Sequence, residues 1–126
     1  MSFSLTLFSL PLLANSFLPT TIINGCYDGD TCTTFDNERI RLACIDTPEL
    51  KGKNADPFKA NKAKRFINDL IANEEVEIRR ITKDKYGRTV AELFQNDINI
   101  QKLIVDNGHG QIYRKYSHQC EWTKNY

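Results

Sequence analysis

The sequence lacks several features that would place it at once in a functional class. Its 126 residues carry a net charge of only +1, so no overall basic field indicates a nucleic-acid-binding protein. The spacing of its four cysteines matches no zinc-binding pattern, and its two isolated histidines do not indicate a nucleophilic hydrolase. It contains no internal repeat, low-complexity tract or linker, which is typical of a single domain.

The sequence also has no apolar run long enough to cross a membrane. Residues 3–14 are apolar, whereas a spanning helix needs about 20 such residues. The run ends in Leu-Leu-Ala-Asn, which resembles a signal-peptide cleavage region, although no Lys or Arg precedes it. The alternative, a buried first strand, is disfavoured by Pro11 and Pro19. We therefore expect a signal peptide at 1–14 and a secreted or periplasmic mature protein without a membrane segment.

The cysteines are consistent with export, because oxidising compartments permit disulfides. Cys26 and Cys32 lie symmetrically about Gly29, so a tight turn there would bring them opposite each other. Four cysteines allow three pairings, and spacing alone selects none of them. Buried free thiols are the alternative if the chain is cytosolic. For an exported chain we expect two disulfides, Cys26–Cys32 and a longer bridge between Cys44 and Cys120.

Periodicity predicts an α+β chain. Strands are expected over residues 20–27, 31–35, 39–45, 76–81 and 89–94. A first helix should have Asp56 as its cap and Pro57 at its first position, and it should end near Asn73. A second helix is expected over 99–107, with Gly108 after its last turn.

Two short acidic motifs are the most informative part of the chain. They are DGDT at 28–31 and IDTPE at 45–49. A hairpin folded about Glu38 would place Asp30 opposite Asp46. Like charges directly opposite each other are destabilising unless a cation lies between them, and carboxylate oxygens suit Ca²⁺ or Mg²⁺ better than zinc. The pattern therefore predicts a cation site.

Arg41, Arg88 and Glu49 complete a set of residue types suited to phosphodiester cleavage. Guanidinium groups and a metal neutralise the charge that grows on a phosphate in the transition state. A carboxylate can handle the proton of an attacking water. The alternatives are ordinary surface arginines and a solvated loop glutamate.

Positive charge is concentrated in one segment, where a single acid, Asp56, accompanies six basic residues. The six are Lys51, Lys53, Lys59, Lys62, Lys64 and Arg65. Such a cluster can steer a polyanion toward a site, or it can be the solvated face of a helix. The sequence favours neither interpretation.

Three motifs in order resemble the staphylococcal nuclease (thermonuclease) family. They are DGDT at 28–31, Arg41-Leu42 leading into IDTPE, and DKYGR at 84–88. The resemblance covers about residues 20–116 and implies one domain at 20–120. It also implies a five-stranded OB-type Greek-key β-barrel with two or three helices packed against it. One departure is the run PFKA at 57–60, which lacks the Gly and Glu typical of the start of the family's first helix.

The resemblance implies that Asp30, Asp46 and the backbone carbonyl of Thr47 hold Ca²⁺. Asp28 is expected to order the turn or to bind water around the metal.

The resemblance further implies that Arg41 and Arg88 clamp the phosphate and that Glu49 activates or orients the attacking water. Three tyrosines resemble the aromatic residues along the family's nucleotide-binding cleft: Tyr86, Tyr113 and Tyr116. Core packing is the alternative for Tyr86 and Tyr113.

The implied function is a Ca²⁺-dependent nuclease that hydrolyses DNA and RNA with little sequence preference and acts as a monomer. The alternative is a non-catalytic nucleic-acid-binding module of the same OB fold. Such modules typically lose the acidic ligands or the arginines, whereas this chain keeps all five positions. The sequence therefore favours catalysis.

Overall fold

The computed structural model of the chain describes residues 17–126, so the expected signal peptide at 1–14 lies outside the described residues. The described part contains eight strands and two α-helices: β1 Thr20–Asp28, β2 Thr31–Thr34, β3 Arg39–Leu42, β4 Ile45–Asp46, α1 Pro57–Ile71, β5 Glu75–Lys83, β6 Thr89–Gln95, β7 Ile98–Asn99, α2 Ile100–Asp106 and β8 Gln111–Ile112. Two 3₁₀ helices follow, at Arg114–Gln119 and Glu121–Asn125. None of the described helices is long and apolar enough to span a membrane.

Five strands close into a ring. Their order is β3-β2-β1-β5-β6, with antiparallel neighbours, and β3 also pairs in parallel with β6. β7 extends the edge of β6, while β4 and β8 form a separate antiparallel pair. This arrangement confirms the expected OB-type α+β fold.

The interior of the ring is filled by branched aliphatic side chains from alternating strand positions and from one face of each helix. The largest of them are fully buried: Ile23, Ile40, Leu42, Ile78 and Leu93 from the ring strands, Ile45 from β4, Ile67 and Ile71 from α1, and Ile100 and Ile104 from α2. α1 packs on β1 and α2 packs on β6. Burial of these apolar surfaces is the main term that stabilises the fold.

The ends of α1 follow the local rules of its sequence. The side chain of Asp56 accepts a hydrogen bond from the amide of Lys59, and Pro57 occupies the first turn, where its missing N–H costs nothing. After the helix, Asn73 adopts a positive φ of 66°. At the end of α2, Gly108 adopts a positive φ of 78°. Both helix predictions are confirmed.

The register of the β2–β3 hairpin differs from the predicted one. The amide of Leu42 donates to the carbonyl of Asp30 at 2.8 Å, so Leu42 rather than Asp46 lies opposite Asp30. Cys44 adopts a positive φ of 70°, which ends β3 and turns the chain into β4. The prediction of one strand over 39–45 was therefore wrong, and Asp46 reaches the neighbourhood of Asp30 from a separate strand that pairs with β8.

A partly exposed ion pair marks the closure of the ring. Glu38, just before β3, accepts hydrogen bonds from Nε and Nη2 of Arg80 at 2.9 and 2.7 Å and from Oγ1 of Thr89 at 2.8 Å. The Arg80 guanidinium lowers the pKa of Glu38 to about 2. Because Arg80 belongs to β5 and Thr89 to β6, one carboxylate connects the three strands that meet at the parallel closure.

All four cysteines are paired in two disulfides, as expected. Cys26 and Cys32 are cross-strand partners in the β1–β2 hairpin. Cys44, at the turn between β3 and β4, is bridged to buried Cys120, which follows β8 and the first 3₁₀ helix.

Removal of the long-range disulfide should destabilise the protein more than removal of the short one. The Cys44–Cys120 bridge spans 76 residues and the Cys26–Cys32 bridge spans 6. Loop-closure entropy corresponds to about 4 kcal/mol for the first and about 2 kcal/mol for the second. The double variants Cys44→Ala/Cys120→Ala and Cys26→Ala/Cys32→Ala are matched controls for each other in thermal unfolding. An equal or reversed order of Tm would contradict this expectation.

Candidate functional site

Asp30 lies at the centre of the candidate site. Its side chain is buried, and its Oδ2 accepts the amide N–H of Thr47 at 3.1 Å. The same oxygen is 3.4 Å from Nη1 of Arg41, whose Nη2 is 4.0 Å from Oδ1 of Asp46. The guanidinium of Arg41 therefore lies between the two carboxylates that the sequence pairs, even though they are not cross-strand neighbours.

Two glycines allow the chain to approach Thr47 closely. A Cβ on Gly29 would lie 2.8 Å from Oγ1 of Thr47 and 2.9 Å from Cβ of Ala63. A Cβ on Gly110 would lie 3.0 Å from both the carbonyl oxygen of Asp46 and Cγ2 of Thr47. Sequence reasoning missed both glycines as site residues. The place of Gly29 between two aspartates was the available signal for it, whereas no motif marked Gly110.

The site holds more negative charge than its arginine compensates. Burial, followed by the charge of Asp30, raises the pKa of Asp46 and brings the pKa of Asp28 to about 6. Oγ1 of Thr47 is buried and has no hydrogen-bond partner in the described part of the chain. A cation beside these oxygens would relieve both the repulsion between the carboxylates and the cost of their burial.

The donors at this position are all oxygens. Two carboxylates, Asp30 and Asp46, adjoin the backbone of Thr47, and across residues 17–126 no three His, Cys, Asp or Glu side chains form a metal-binding group. A cation here would therefore complete its shell with backbone and water oxygens, which hard ions such as Ca²⁺ accept. The residues present fit such an ion and do not fit zinc.

Arg88 is fixed by a short turn. The carboxylate of Asp84 accepts the amides of Tyr86 and Arg88, each at 2.9 Å, and Nε of Arg88 at 2.7 Å. Burial raises the pKa of Asp84, but these hydrogen bonds outweigh that effect and lower it overall. Asp84 is thus a positioning residue that sequence reasoning missed. The sequence feature that could have identified Asp84 is an aspartate placed three residues before a turn glycine, Gly87, which adopts a φ of 83°.

The three tyrosines line one side of the site. A cleft of about 540 Å³, here called the tyrosine cleft, is bordered by Arg41, Arg88, Tyr86, Tyr113 and Tyr116, with Lys85 and Lys115 at its edge. Tyr86 is 62% exposed, Tyr113 38% and Tyr116 40%, so core packing is the wrong interpretation. The rings of Tyr113 and Tyr116 meet edge to face, with 5.1 Å between their centroids.

The segment that carries two of these tyrosines is tied to the ring. The amide of Tyr113 donates to the carbonyl of Cys44 at 2.8 Å, and the Cys44–Cys120 disulfide fixes the same segment farther along. Nη2 of Arg79 in β5 donates to the carbonyl of Gln119 at 2.7 Å. The segment with Tyr113 and Tyr116 is therefore held by a disulfide and hydrogen bonds to β5 and to the turn after β3, the strand that carries Arg41.

A second cleft, of about 440 Å³, opens on the other side of β4. We call it the histidine cleft; Asp46, Thr47, Pro48 and Glu49 border it on one side, and Asn54, Lys59, His109 and Gln111 line the rest. Glu49 is exposed, and its charge contributes to the raised pKa of Asp46. The predicted catalytic residues are thus divided, since the two arginines lie in one cleft and the glutamate in the other.

Comparison with known proteins agrees with this architecture. The model of the staphylococcal nuclease homologue family matches residues 39–126. An uncharacterized endonuclease of Haemophilus influenzae is 32% identical over 123 residues, covering 85% of this chain and 66% of the relative. A micrococcal nuclease of Shigella flexneri is 32% identical, with coverage of 71% and 55%. A thermonuclease of Staphylococcus intermedius is 31% identical, with coverage of 69% and 55%. The chain thus spans two thirds or less of the length of these relatives.

The matched range contains Arg41, the IDTPE motif and the DKYGR turn, and it begins after Asp30. The structure supplies the preceding part of the barrel, because β1 and β2 complete the ring that β3, β5 and β6 form. Motifs, ring topology and family match agree, and the chain belongs to the staphylococcal nuclease family.

Proposed function

We propose that this protein is a Ca²⁺-dependent nuclease that hydrolyses phosphodiester bonds in DNA and RNA with little sequence preference. The observation that carries the proposal is the position of Arg41, which lines the tyrosine cleft, between Asp30 and Asp46, the latter of which lines the histidine cleft. Carboxylates that suit a hard cation and a guanidinium that suits a phosphate are both needed at one point for this reaction.

Asp30, Asp46 and the carbonyl of Thr47 are the proposed ligands of the ion. When bound, Ca²⁺ supplies positive charge beside the phosphate and makes a nearby water more acidic. Asp30 is fixed for this role by the amide of Thr47, because that hydrogen bond sets the direction of its second carboxylate oxygen.

Arg41 and Arg88 are proposed to bind the non-bridging oxygens of the phosphate. Nη1 of Arg41 is held by the carbonyl of Leu42 at 2.7 Å, and Arg88 is held by Asp84. Donors that are already oriented stabilise the charge of the transition state without a reorganisation cost. A planar guanidinium also matches two phosphate oxygens at once, which an ammonium group does not.

Glu49 is proposed to orient or deprotonate the attacking water. Glu49 lies in the loop after β4, three residues after Asp46. Its backbone carbonyl accepts a hydrogen bond from the amide of Asp56 at 3.0 Å, so this loop is tied to the start of α1. Its side chain is exposed in the histidine cleft, and its charge acts on Asp46, so the carboxylate lies near the proposed metal ligand and is accessible to water.

The tyrosine cleft is proposed to bind bases by stacking. Each stacked base contributes about 1–3 kcal/mol and every base has an aromatic face, so sequence preference should be weak for both DNA and RNA. The lysines above two of the rings add attraction for the backbone, with Nζ of Lys85 5.3 Å from the centroid of Tyr86 and Nζ of Lys115 5.4 Å from that of Tyr116.

The two disulfides favour an oxidising compartment, and we propose a secreted or periplasmic protein that acts as a monomer.

Hydrolysis of single-stranded DNA should stop in EGTA and return with added Ca²⁺. The variant Asp46→Ala should be inactive even with Ca²⁺, because half of the carboxylate pair is lost. Asp106→Ala is the matched control, since Asp106 is an exposed carboxylate paired with Lys102 and lies in neither cleft. Full activity in EGTA would overturn the metal assignment. If the wild type binds DNA but does not cleave it even with Ca²⁺, the result would instead favour the non-catalytic module.

Replacement of Arg41 or Arg88 by lysine should lower kcat far more than it raises KM. The lost donor acts mainly in the transition state, and the expected fall is roughly 10²–10³-fold. Arg80→Lys is the control, because Arg80 pairs with Glu38 outside both clefts and its loss should affect stability rather than turnover. If Arg41→Lys and Arg88→Lys change only KM, the two arginines bind substrate without taking part in catalysis.

Glu49→Gln keeps the shape of the side chain and removes its charge and its basic oxygen. If Glu49 handles the proton of the attacking water, kcat should fall by roughly 10²–10⁴-fold. Glu74→Gln, at an exposed position outside both clefts, should leave kcat unchanged. Turnover of Glu49→Gln close to that of the wild type would show that Glu49 is a solvated loop residue.

A further inference from the structure

The basic segment around α1 consists of cations without acidic partners. Within residues 17–126 the lysines and arginines that lie within 4.0 Å of a carboxylate are Arg41, Arg79, Arg80, Arg88, Lys102 and Lys124. None of the six basic residues between 51 and 65 is among them. Their charge is therefore available to a ligand, unlike that of the ion-paired cations elsewhere on the surface.

One of these cations lines the histidine cleft. Lys59, in the first turn of α1, borders the cleft together with His109. The ring of His109 packs on that of Phe66, with 4.5 Å between centroids, and its amide donates to the carbonyl of Ile104 at 3.0 Å. The half-buried imidazole is therefore held in place by α1 and α2, so this wall is built by packed elements rather than by a free loop.

The histidine cleft adjoins the proposed metal ligands Asp46 and Thr47. Asp46 borders it, while the preceding residue, Ile45, borders the tyrosine cleft, so the two-residue strand β4 separates the two clefts. A chain that is seated on the tyrosines and presents one phosphate at Arg41 meets the histidine cleft as it continues past β4. Lys59 lines the same cleft as Asp46 and Glu49 and is a cation available to a phosphate there.

Exposed aromatic rings accompany the cations on the outer face of α1. Phe58 is 74% exposed, and Nζ of Lys62 lies 5.5 Å from its ring centroid. Tyr27 is 58% exposed, with Nζ of Lys64 6.0 Å from its centroid. Aromatic rings beside uncompensated cations are the combination that binds single-stranded nucleic acid, because the rings stack on bases while the cations bind phosphates.

We propose that the histidine cleft and the adjoining residues Phe58 and Lys62 form a second polynucleotide subsite, which binds the single strand on the side of the scissile phosphate away from the tyrosines. Lys59 and Lys62 bind backbone phosphates, Phe58 stacks on one base, and His109 hydrogen-bonds to the backbone. The inference rests on the proposed function only for the position of the scissile phosphate. Substrates too short to pass β4 do not reach this subsite.

The test compares a 20-nucleotide single-stranded DNA with a dinucleotide. Binding is measured in EGTA by fluorescence anisotropy at several salt concentrations, and cleavage is measured separately with Ca²⁺. Lys59→Gln/Lys62→Gln should weaken binding of the 20-mer and reduce its log–log salt slope by about 1.4, that is about 0.7 for each lost phosphate contact. The dinucleotide should show no such loss. Lys102→Gln/Lys124→Gln removes the same charge from ion-paired lysines outside both clefts and should not change the slope.

Phe58→Ala provides an independent variant. Its side chain is exposed, so its removal should leave the fold intact. Loss of one stacked base should weaken binding of the 20-mer by about 5-fold to 150-fold, with an unchanged salt slope.

Unchanged binding of the 20-mer by both Lys59→Gln/Lys62→Gln and Phe58→Ala would overturn the subsite. An equal loss of binding for the 20-mer and the dinucleotide would overturn it as well. If the wild type cleaves nothing, yet Lys59→Gln/Lys62→Gln and Phe58→Ala selectively lose the 20-mer, the proposed function fails and the subsite remains. If the wild type cleaves DNA and the variants bind the 20-mer normally, the subsite fails and the proposed function remains.

Discussion

The buried charge of Asp30 is the constraint on which the arrangement of the site depends. A carboxylate removed from water must be hydrogen-bonded or paired, and here the amide of Thr47 and the guanidinium of Arg41 meet that need. These partners lie on either side of the turn at Cys44, so one charge holds the β1–β2 turn, β3 and the loop after β4 together. Loss of one partner would leave a buried charge uncompensated, which costs more than the intact pair contributes.

β4 divides the site into two chemically different halves. The side of Ile45 has guanidinium groups and aromatic rings, whereas the side of Asp46 has carboxylates facing a lysine and a histidine. A strand of two residues suffices because its pairing with β8 and the lack of a side chain at Gly110 fix its position. The arginines that suit a phosphate and the carboxylates that suit a cation therefore meet at β4, where Arg41 contacts Asp46, while the rest of each group stays in its own cleft.

Features set by neighbouring residues were predictable, and those set by distant ones were not. Asp56 and Pro57 define the start of α1 locally, so its cap was predicted correctly. The hairpin register was wrong because β3 ends at a positive φ on Cys44, and the strand that follows pairs with residues about 65 positions away. Alternation of polar and apolar residues does not report such a break. The exposure of Tyr86 was equally unpredictable, since an aromatic residue suits a core or a cleft.

The separation of each disulfide along the chain has a consequence for oxidation. Cys26 and Cys32 meet within one hairpin, so their bond requires only β1 and β2. Cys44 meets Cys120 only when the ring is closed and the segment after β8 packs against it. Because short loops close more readily than long ones, the local bond removes two competing thiols before the distant pair forms. The long-range pairing is then the one left to the two remaining thiols, and it requires the closed ring.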